Sequence, residues 1–206
     1  MKNKQVRALT YGAVCVGLSF ALSYAVLFRM PQGGSITLAS LAPIVLYIYL
    51  FGFKYGLLAT VAFTILQLFR GSHLVNPGQI ILDYIIPYMA LCLVGLVPIA
   101  VDKLKKNKGN RGRDRVTEWG IYIGMAVFTL VRWASQTASG MWFWHVPFWG
   151  SVLYNSFGVV DSVIAAIALV ALFRSKAFRA ELDKVRAIHN TPLKAGVNRE
   201  GAQDNG

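Results

Sequence analysis

Residues 79–101 read QIILDYIIPYMALCLVGLVPIAV, 23 positions that carry a single charge, Asp83. An apolar run of this length is long enough to cross the hydrocarbon core of a bilayer as a helix. Asn76 and Pro77 stand just before it, in the order expected of an N-cap and a first helical position. Five further apolar runs flank this one, near 8–28, 36–53, 55–70, 117–141 and 149–173. The second and third are short and separated only by the stretch from Gly52 to Gly56, so a turn, a tilt or a break is expected there. The pattern predicts an all-α membrane protein of six transmembrane helices. A membrane domain would fill 1–175, and a basic cytoplasmic tail with a disordered end would fill 176–206.

Composition agrees with that reading. Of 206 residues 55% are hydrophobic and 15% charged, against roughly 25% charged in soluble domains. The net charge of +12 would suggest nucleic acid in a soluble chain, but here its distribution matters more than its sum. Eighteen of the 21 Lys and Arg residues fall before the first run, between the second and third, from Lys103 to Arg115, or from Arg174 to Arg199. Only Arg29 and Arg70 fall in the alternate loops, and Arg132 lies inside the fifth run. Cytoplasmic loops retain Lys and Arg during insertion, so both termini are expected in the cytoplasm of a plasma-membrane protein, with no nucleic-acid partner. The first run has no clear small-x-small cleavage site and is expected to remain as a span. Cys15 and Cys92 lie in apolar runs and suggest neither a disulfide nor a metal site.

Ionisable groups inside spans are costly unless paired or hydrated, which makes Asp83, Arg132 and Asp161 functional candidates. Asp83 should lie roughly 10 Å below the outer start of its helix. Two readings stay open for it: an ion pair with Arg132, or a carboxylate facing an outward cavity where it could neutralise a cationic or amine-bearing ligand. Asp161, in Gly158-Val159-Val160-Asp161-Ser162, could itself pair with Arg132 or meet a partner subunit. Trp133, Trp142, Phe143, Trp144, Phe148, Trp149 and Tyr154 crowd one stretch together with Gln136, His145 and Asn155. An interfacial belt explains about half of these rings. Rings interleaved with amides would also suit a flat heteroaromatic ligand, with faces stacked and edges hydrogen-bonded. His145 alone is a poor metal candidate. Ala13, Gly17 and Ala21 recur every four residues on the first helix, a spacing that admits close approach by another helix, of this chain or of a second one.

No catalytic constellation is present: no Gly-x-Ser-x-Gly, no His-Glu-x-x-His, no Walker loop and no dinucleotide fingerprint. Any energy input must then come from elsewhere, and three classes stay open: a binding subunit without its own ATPase site, a carrier driven by ion gradients, and a membrane-embedded lipid enzyme.

Met30-Pro31-Gln32-Gly33-Gly34-Ser35, Leu82-Asp83-Tyr84, Arg132 followed by Ser139-Gly140, and Tyr154-Asn155 together resemble the thiamine-specific (ThiT-like) substrate-binding subunits of energy-coupling factor transporters. The resemblance implies a six-helix subunit that captures thiamine from outside and delivers it by toppling. It would work with a transmembrane coupling subunit and two ATPases, so that ATP is used by the partners and no cofactor is bound by this chain. It implies ligand contacts from Asp83, Tyr84, Asn155, Trp144 and, in the third helix, Phe63, and a coupling-subunit interface on Ala13, Gly17 and Ala21. Gln136 stands where many members have histidine, and is expected to orient a ring edge with Asn155. Ser35 and Ala39 stand where some members have tryptophan and glutamate. A related subunit for another pyrimidine or vitamin precursor is the alternative within the class.

Overall fold

The computed structural model of the chain describes residues 2–29, 35–70, 75–104 and 118–190. The Met30–Gly34 run, most of the basic Lys103–Arg115 stretch and the end of the tail lie outside these residues. The architecture is mostly helical: α1 (Lys2–Tyr24), α2 (Ala42–Arg70), α3 (Pro77–Ile80), α4 (Ile86–Met89), α5 (Leu93–Leu104), α6 (Glu118–Trp142), α7 (Phe148–Arg174) and α8 (Lys176–Asn190). A two-stranded antiparallel hairpin, β1 (Val26–Arg29) and β2 (Ser35–Thr37), lies between α1 and α2. The helical architecture is as expected, and the expected bounds are corrected at this hairpin: α1 ends at Tyr24, short of 28, α2 begins at Ala42 and not at 36, and the chain pairs Val26 with Thr37 and Arg29 with Ser35.

Among the described residues four helical stretches are long and apolar enough to cross a membrane: Lys4–Tyr24, Ala42–Arg70, Pro77–Ala100 and Phe148–Arg174. The 25-residue α6 is not one of them, because Arg132, Ser135, Gln136, Thr137 and Ser139 dilute its apolar content. The outer faces of these helices carry Val14, Leu58, Leu153 and Ile167, each more than half exposed, as a chain surrounded by lipid requires.

The expected break between the second and third runs falls within α2, at Gly52, with φ 79° and ψ −177°. This backbone region is open almost solely to glycine. The helix folds back sharply there. A Cβ on Gly56 would lie 2.7 Å from Ile48 Cγ1, although eight residues of straight helix span about 12 Å. A Cβ on Gly95 would come within 2.8 Å of Ile48 Cγ2 and 3.3 Å of Phe53 Cα, so α5 is seated in the elbow.

The core fills from both arms of α2 with Ile44, Ile48 and Phe63, and from the helices around it with Leu91, Val94, Ile121, Phe128 and Leu169. Close helix approach depends on glycine at two more places. A Cβ on Gly124 would lie 2.6 Å from Val94 Cα, so α6 rests directly on the α5 backbone. A Cβ on Gly12 would lie 2.8 Å from the Tyr47 hydroxyl, which donates to the Ala8 carbonyl at 2.9 Å and ties α1 to α2. The inward face of α1 therefore runs through Ala8, Gly12, Val16 and Ser19, and Ala13, Gly17 and Ala21 lie exposed on the other side. Nothing lies within 4 Å of a Cβ built on Gly17. Beyond a break at Ser175, α8 seats Leu182 and Phe178 against the core and leaves Lys176, Arg179 and Lys184 exposed.

Candidate functional site

Asn76 caps α3 as the sequence predicts: its side-chain oxygen accepts from Gly78 N at 2.9 Å, and Pro77 takes the first position. The helix then changes register. Ile81–Ile85 is a π turn, and Asp83 and Tyr84 lie in it. Pro87 supplies the reason. A proline has no N–H to donate and its ring crowds the carbonyl four residues back, here that of Asp83. With Ile86 N turned to Ile81 O, the Leu82 carbonyl has lost its α-helical donor, and its π-register donor would be Pro87, which has none. Both freed carbonyls are taken up by α6: Ser135 Oγ donates to Leu82 O at 2.7 Å, and Gln136 Nε2 approaches Asp83 O at 3.4 Å. Pi turns recur at functional sites because they redirect side chains and free backbone groups.

The Asp83 carboxylate, half-buried, collects further donors. Gln79 Nε2 donates to Oδ2 at 2.7 Å, and Trp144 Nε1 donates to the same oxygen at 3.3 Å. Trp144 reaches it from the short α6–α7 connection. That connection is drawn over the top of α3, where Phe143 packs so closely on Gly78 that a Cβ there would lie 2.6 Å from its ring. His145 in this connection takes φ 52°.

Arg132 does not pair with Asp83. Its Nη1 lies 3.3 Å from Asp161 Oδ2, with both side chains nearly enclosed, and its guanidinium sits 5.7 Å from the centre of the Tyr88 ring. The other Asp161 oxygen accepts from Thr37 N at 2.9 Å and from Thr37 Oγ1 at 2.6 Å. Asp161 thus fastens the β-hairpin to α7 and α6, and Phe28 stacked on Phe157 at 6.2 Å adds to that joint. At the hairpin's far strand Arg70 Nη2 meets Ser35 Oγ at 3.3 Å and lies over the Tyr24 ring. Ala39, two residues past β2, takes φ 54°.

Of the residues singled out in the sequence, Asp83, Tyr84, Gln136 and Trp144 come together around the π turn. Asn155 is on the adjoining face of α7, where its Nδ2 donates to Ser151 O at 2.9 Å. It faces the end of α6, since a Cβ on Gly140 would lie 3.7 Å from that nitrogen. Gln136 Oε1 points toward α7 as well, 3.6 Å from where a Gly158 Cβ would be. Phe63 stands apart: it is fully buried and meets Tyr88 edge-on at 5.7 Å. Gln79 and Ser135 were not singled out. The signal for Gln79 was its place four residues before Asp83, where Gln and Asp side chains meet on a helix; the signal for Ser135 was Pro87.

A carboxylate, two carboxamides and an indole N–H, gathered where two backbone carbonyls have left the helix ladder, can hydrogen-bond the edge of a polar ring and balance a positive charge. Against known proteins, the family described as "Thiamine transporter protein (Thia_YuaJ)" matches residues 9–181. The chain is 31% identical over 166 residues to the thiamine transporter ThiT of Bacillus subtilis (strain 168), covering 75% of this chain and 83% of that protein. In fold it is similar to a solved structure of ThiT from Listeria monocytogenes, with a TM-score of 0.59 at 18% identity, covering 89% of this chain and 98% of that one. With a match that takes in nearly all of its apolar helices, the chain is a membrane protein that belongs to the thiamine transporter family.

Proposed function

We propose that this chain captures thiamine from outside the cell as the substrate-binding subunit of an energy-coupling factor importer, and that Asp83 is the centre of its binding site. The observation that carries the reading is the Asp83 carboxylate, half-buried in the π turn, with the Trp144 indole N–H donating to it from beyond the end of α6 and Gln136 of α6 held beside it on the Asp83 backbone carbonyl. Thiamine offers an aminopyrimidine, a cationic thiazolium and a hydroxyethyl arm. Asp83 balances the cation or accepts from the amine. Tyr84 and Trp144 cover ring faces, which attract a cation as well, and Gln136 and Asn155 address the edges. Phe63 acts from behind, through Tyr88.

In this reading the elbow at Gly52 divides α2 into two spans, and with α6 the count is six, both termini cytoplasmic in the plasma membrane. The outward stripe of Ala13, Gly17 and Ala21 receives the transmembrane coupling subunit, and two partner ATPases supply the energy. Gln136 favours one second reading: an amide presents both a donor and an acceptor, so a different pyrimidine fits the same edge.

Tryptophan-fluorescence titration of the detergent-solubilised protein with thiamine tests the proposal, with pyrimidine precursors, riboflavin and biotin as controls. Saturable quenching by thiamine at submicromolar concentration, weakened in Asp83→Asn, is the expected result. Saturation by a pyrimidine with no response to thiamine would replace the ligand. Transport by the chain alone in proteoliposomes, driven by an ion gradient, would overturn the subunit reading.

A further inference from the structure

Gln79 occupies the most enclosed polar position around Asp83, at 2% exposure. Its carboxamide is held at both ends. Oε1 accepts from Val75 N at 3.4 Å and Nε2 donates to Asp83 Oδ2 at 2.7 Å. The orientation of the amide is fixed by chemistry, since a backbone N–H only donates and a carboxylate only accepts. The donor from Gln79 and the donor from Trp144 fall on the same oxygen, Oδ2, and neither falls on Oδ1.

We infer that Gln79 is a positioning residue for ligand recognition: by holding Asp83 Oδ2 from within the helix, it presents Oδ1 to the cationic or amine-bearing part of the ligand. The inference rests on the reading of Asp83 as the ligand's carboxylate. Trp144 alone cannot do this work. It stands on a connection, is 45% exposed, and must turn its ring to the ligand if it is to stack. Gln79 is on the same helix as Asp83 and is buried, so its donor stays in place while Trp144 moves. A glutamine also suits the task by its charge. Lysine at this position would neutralise the carboxylate, glutamate would offer only acceptors, and leucine or methionine would leave the carboxylate free to sweep its rotamers, an ordering cost then met at every binding event. The neutral donor fixes the carboxylate and leaves its full negative charge for the ligand.

A double-mutant cycle on thiamine binding tests this, in the full chain, with Gln79→Met and Gln79→Glu each made alone and with Asp83→Asn. Gln79→Met keeps the length of the side chain and removes the donor, and Gln79→Glu sets a second carboxyl against Asp83, so that the pair shares a proton and offers the ligand less negative charge. Each is expected to weaken thiamine binding at least about tenfold, the scale of one hydrogen bond to a charged group. In the Asp83→Asn background the same replacements should add less than about twofold, because the group they position is gone. A purely structural role for Gln79 predicts equal losses in both backgrounds, and that additivity would overturn the inference, as would wild-type affinity in Gln79→Met. Failure of both Gln79 variants to fold, read from thermal unfolding without ligand, would assign Gln79 to stability and overturn it as well. Undiminished thiamine binding in Asp83→Asn alone would instead remove the reading of Asp83 on which the inference stands, so the two failures are told apart.

Discussion

Replacing Asp161 by alanine should be the most damaging single change outside the proposed ligand site. Asp161 is 3% exposed and serves three groups at once: Arg132 Nη1 at 3.3 Å, Thr37 N at 2.9 Å and Thr37 Oγ1 at 2.6 Å, the last of which is also bonded to the Ser40 hydroxyl at 2.7 Å. Removing one partner of a buried ion pair costs about 3–5 kcal/mol, since the remaining charge has nowhere to go. Arg132 is especially exposed to that loss, because its Nε already lacks a hydrogen-bond partner among the described residues. For a chain of this length 1 kcal/mol moves the unfolding midpoint by about 2–4 °C, so Asp161→Ala should lower it by about 6–20 °C in detergent. Asp161→Leu combined with Arg132→Met removes both charges and leaves the Thr37 donors and the guanidinium's contact with the Tyr88 ring unmade. That double variant should recover more than half of the loss. A shift below about 2 °C for Asp161→Ala, or a double variant no better than the single one, would refute the reasoning that a compensated buried pair fastens the hairpin to α6 and α7.

The other expectations concern close approaches and freed carbonyls. Gly124→Ala sets a methyl group 2.6 Å from Val94 Cα, a backbone atom that cannot swing away; a loss of about 1–3 kcal/mol is expected from overpacking, read as the thermal midpoint. Gly52→Ala must hold φ near 79° and ψ near −177° with a Cβ, and about 1–3 kcal/mol of strain should show in the same assay. Ser135→Ala withdraws the donor from Leu82 O, and should cost about 1 kcal/mol of stability and several-fold in thiamine affinity, measured by fluorescence titration. Gly17→Leu adds bulk where nothing lies within 4 Å; it should leave thiamine binding within about twofold, and uptake by the reconstituted transporter should fall severely, whereas unchanged uptake would remove the coupling role from the α1 stripe.

Much of the frame was legible because the bilayer imposes its rules on the sequence. The Asn76-Pro77 start and the Gly52 break appear where the residues said they would, and the apolar runs do so apart from the stretch between Tyr24 and Ala42, each being a local consequence of chain chemistry. The hairpin was not legible. Val26-Leu27-Phe28-Arg29 continues the apolar run of α1, and what draws it into a strand is pairing with Ser35–Thr37, whose Thr37 is anchored on Asp161, 124 residues beyond it in sequence. The partner of Arg132 was open for the same reason: Asp83 and Asp161 are both acidic residues within spans, and only packing decides between them.

The grouping around the π turn, the candidate site, was half legible, and the missing half follows from Pro87. A proline inside a membrane helix is tolerated where neighbouring groups re-satisfy the carbonyls it frees. Read in that way, Pro87 designates the Asp83 carbonyl as needing a donor, the π register adds Leu82, and α6 must then present two donors side by side, as Ser135 and Gln136 do. The interruption that would weaken an ordinary helix thus fixes α6 against the turn that carries Asp83 and Tyr84. A Pro87→Ala variant would restore the lost N–H and favour ordinary α-helical pairing. If the π turn is what aims Asp83, this variant should be at least as stable as the parent in thermal unfolding and yet bind thiamine more weakly. A stable Pro87→Ala protein with undiminished affinity would show that the carboxylate is aimed by Gln79 and Trp144 without help from the helix register.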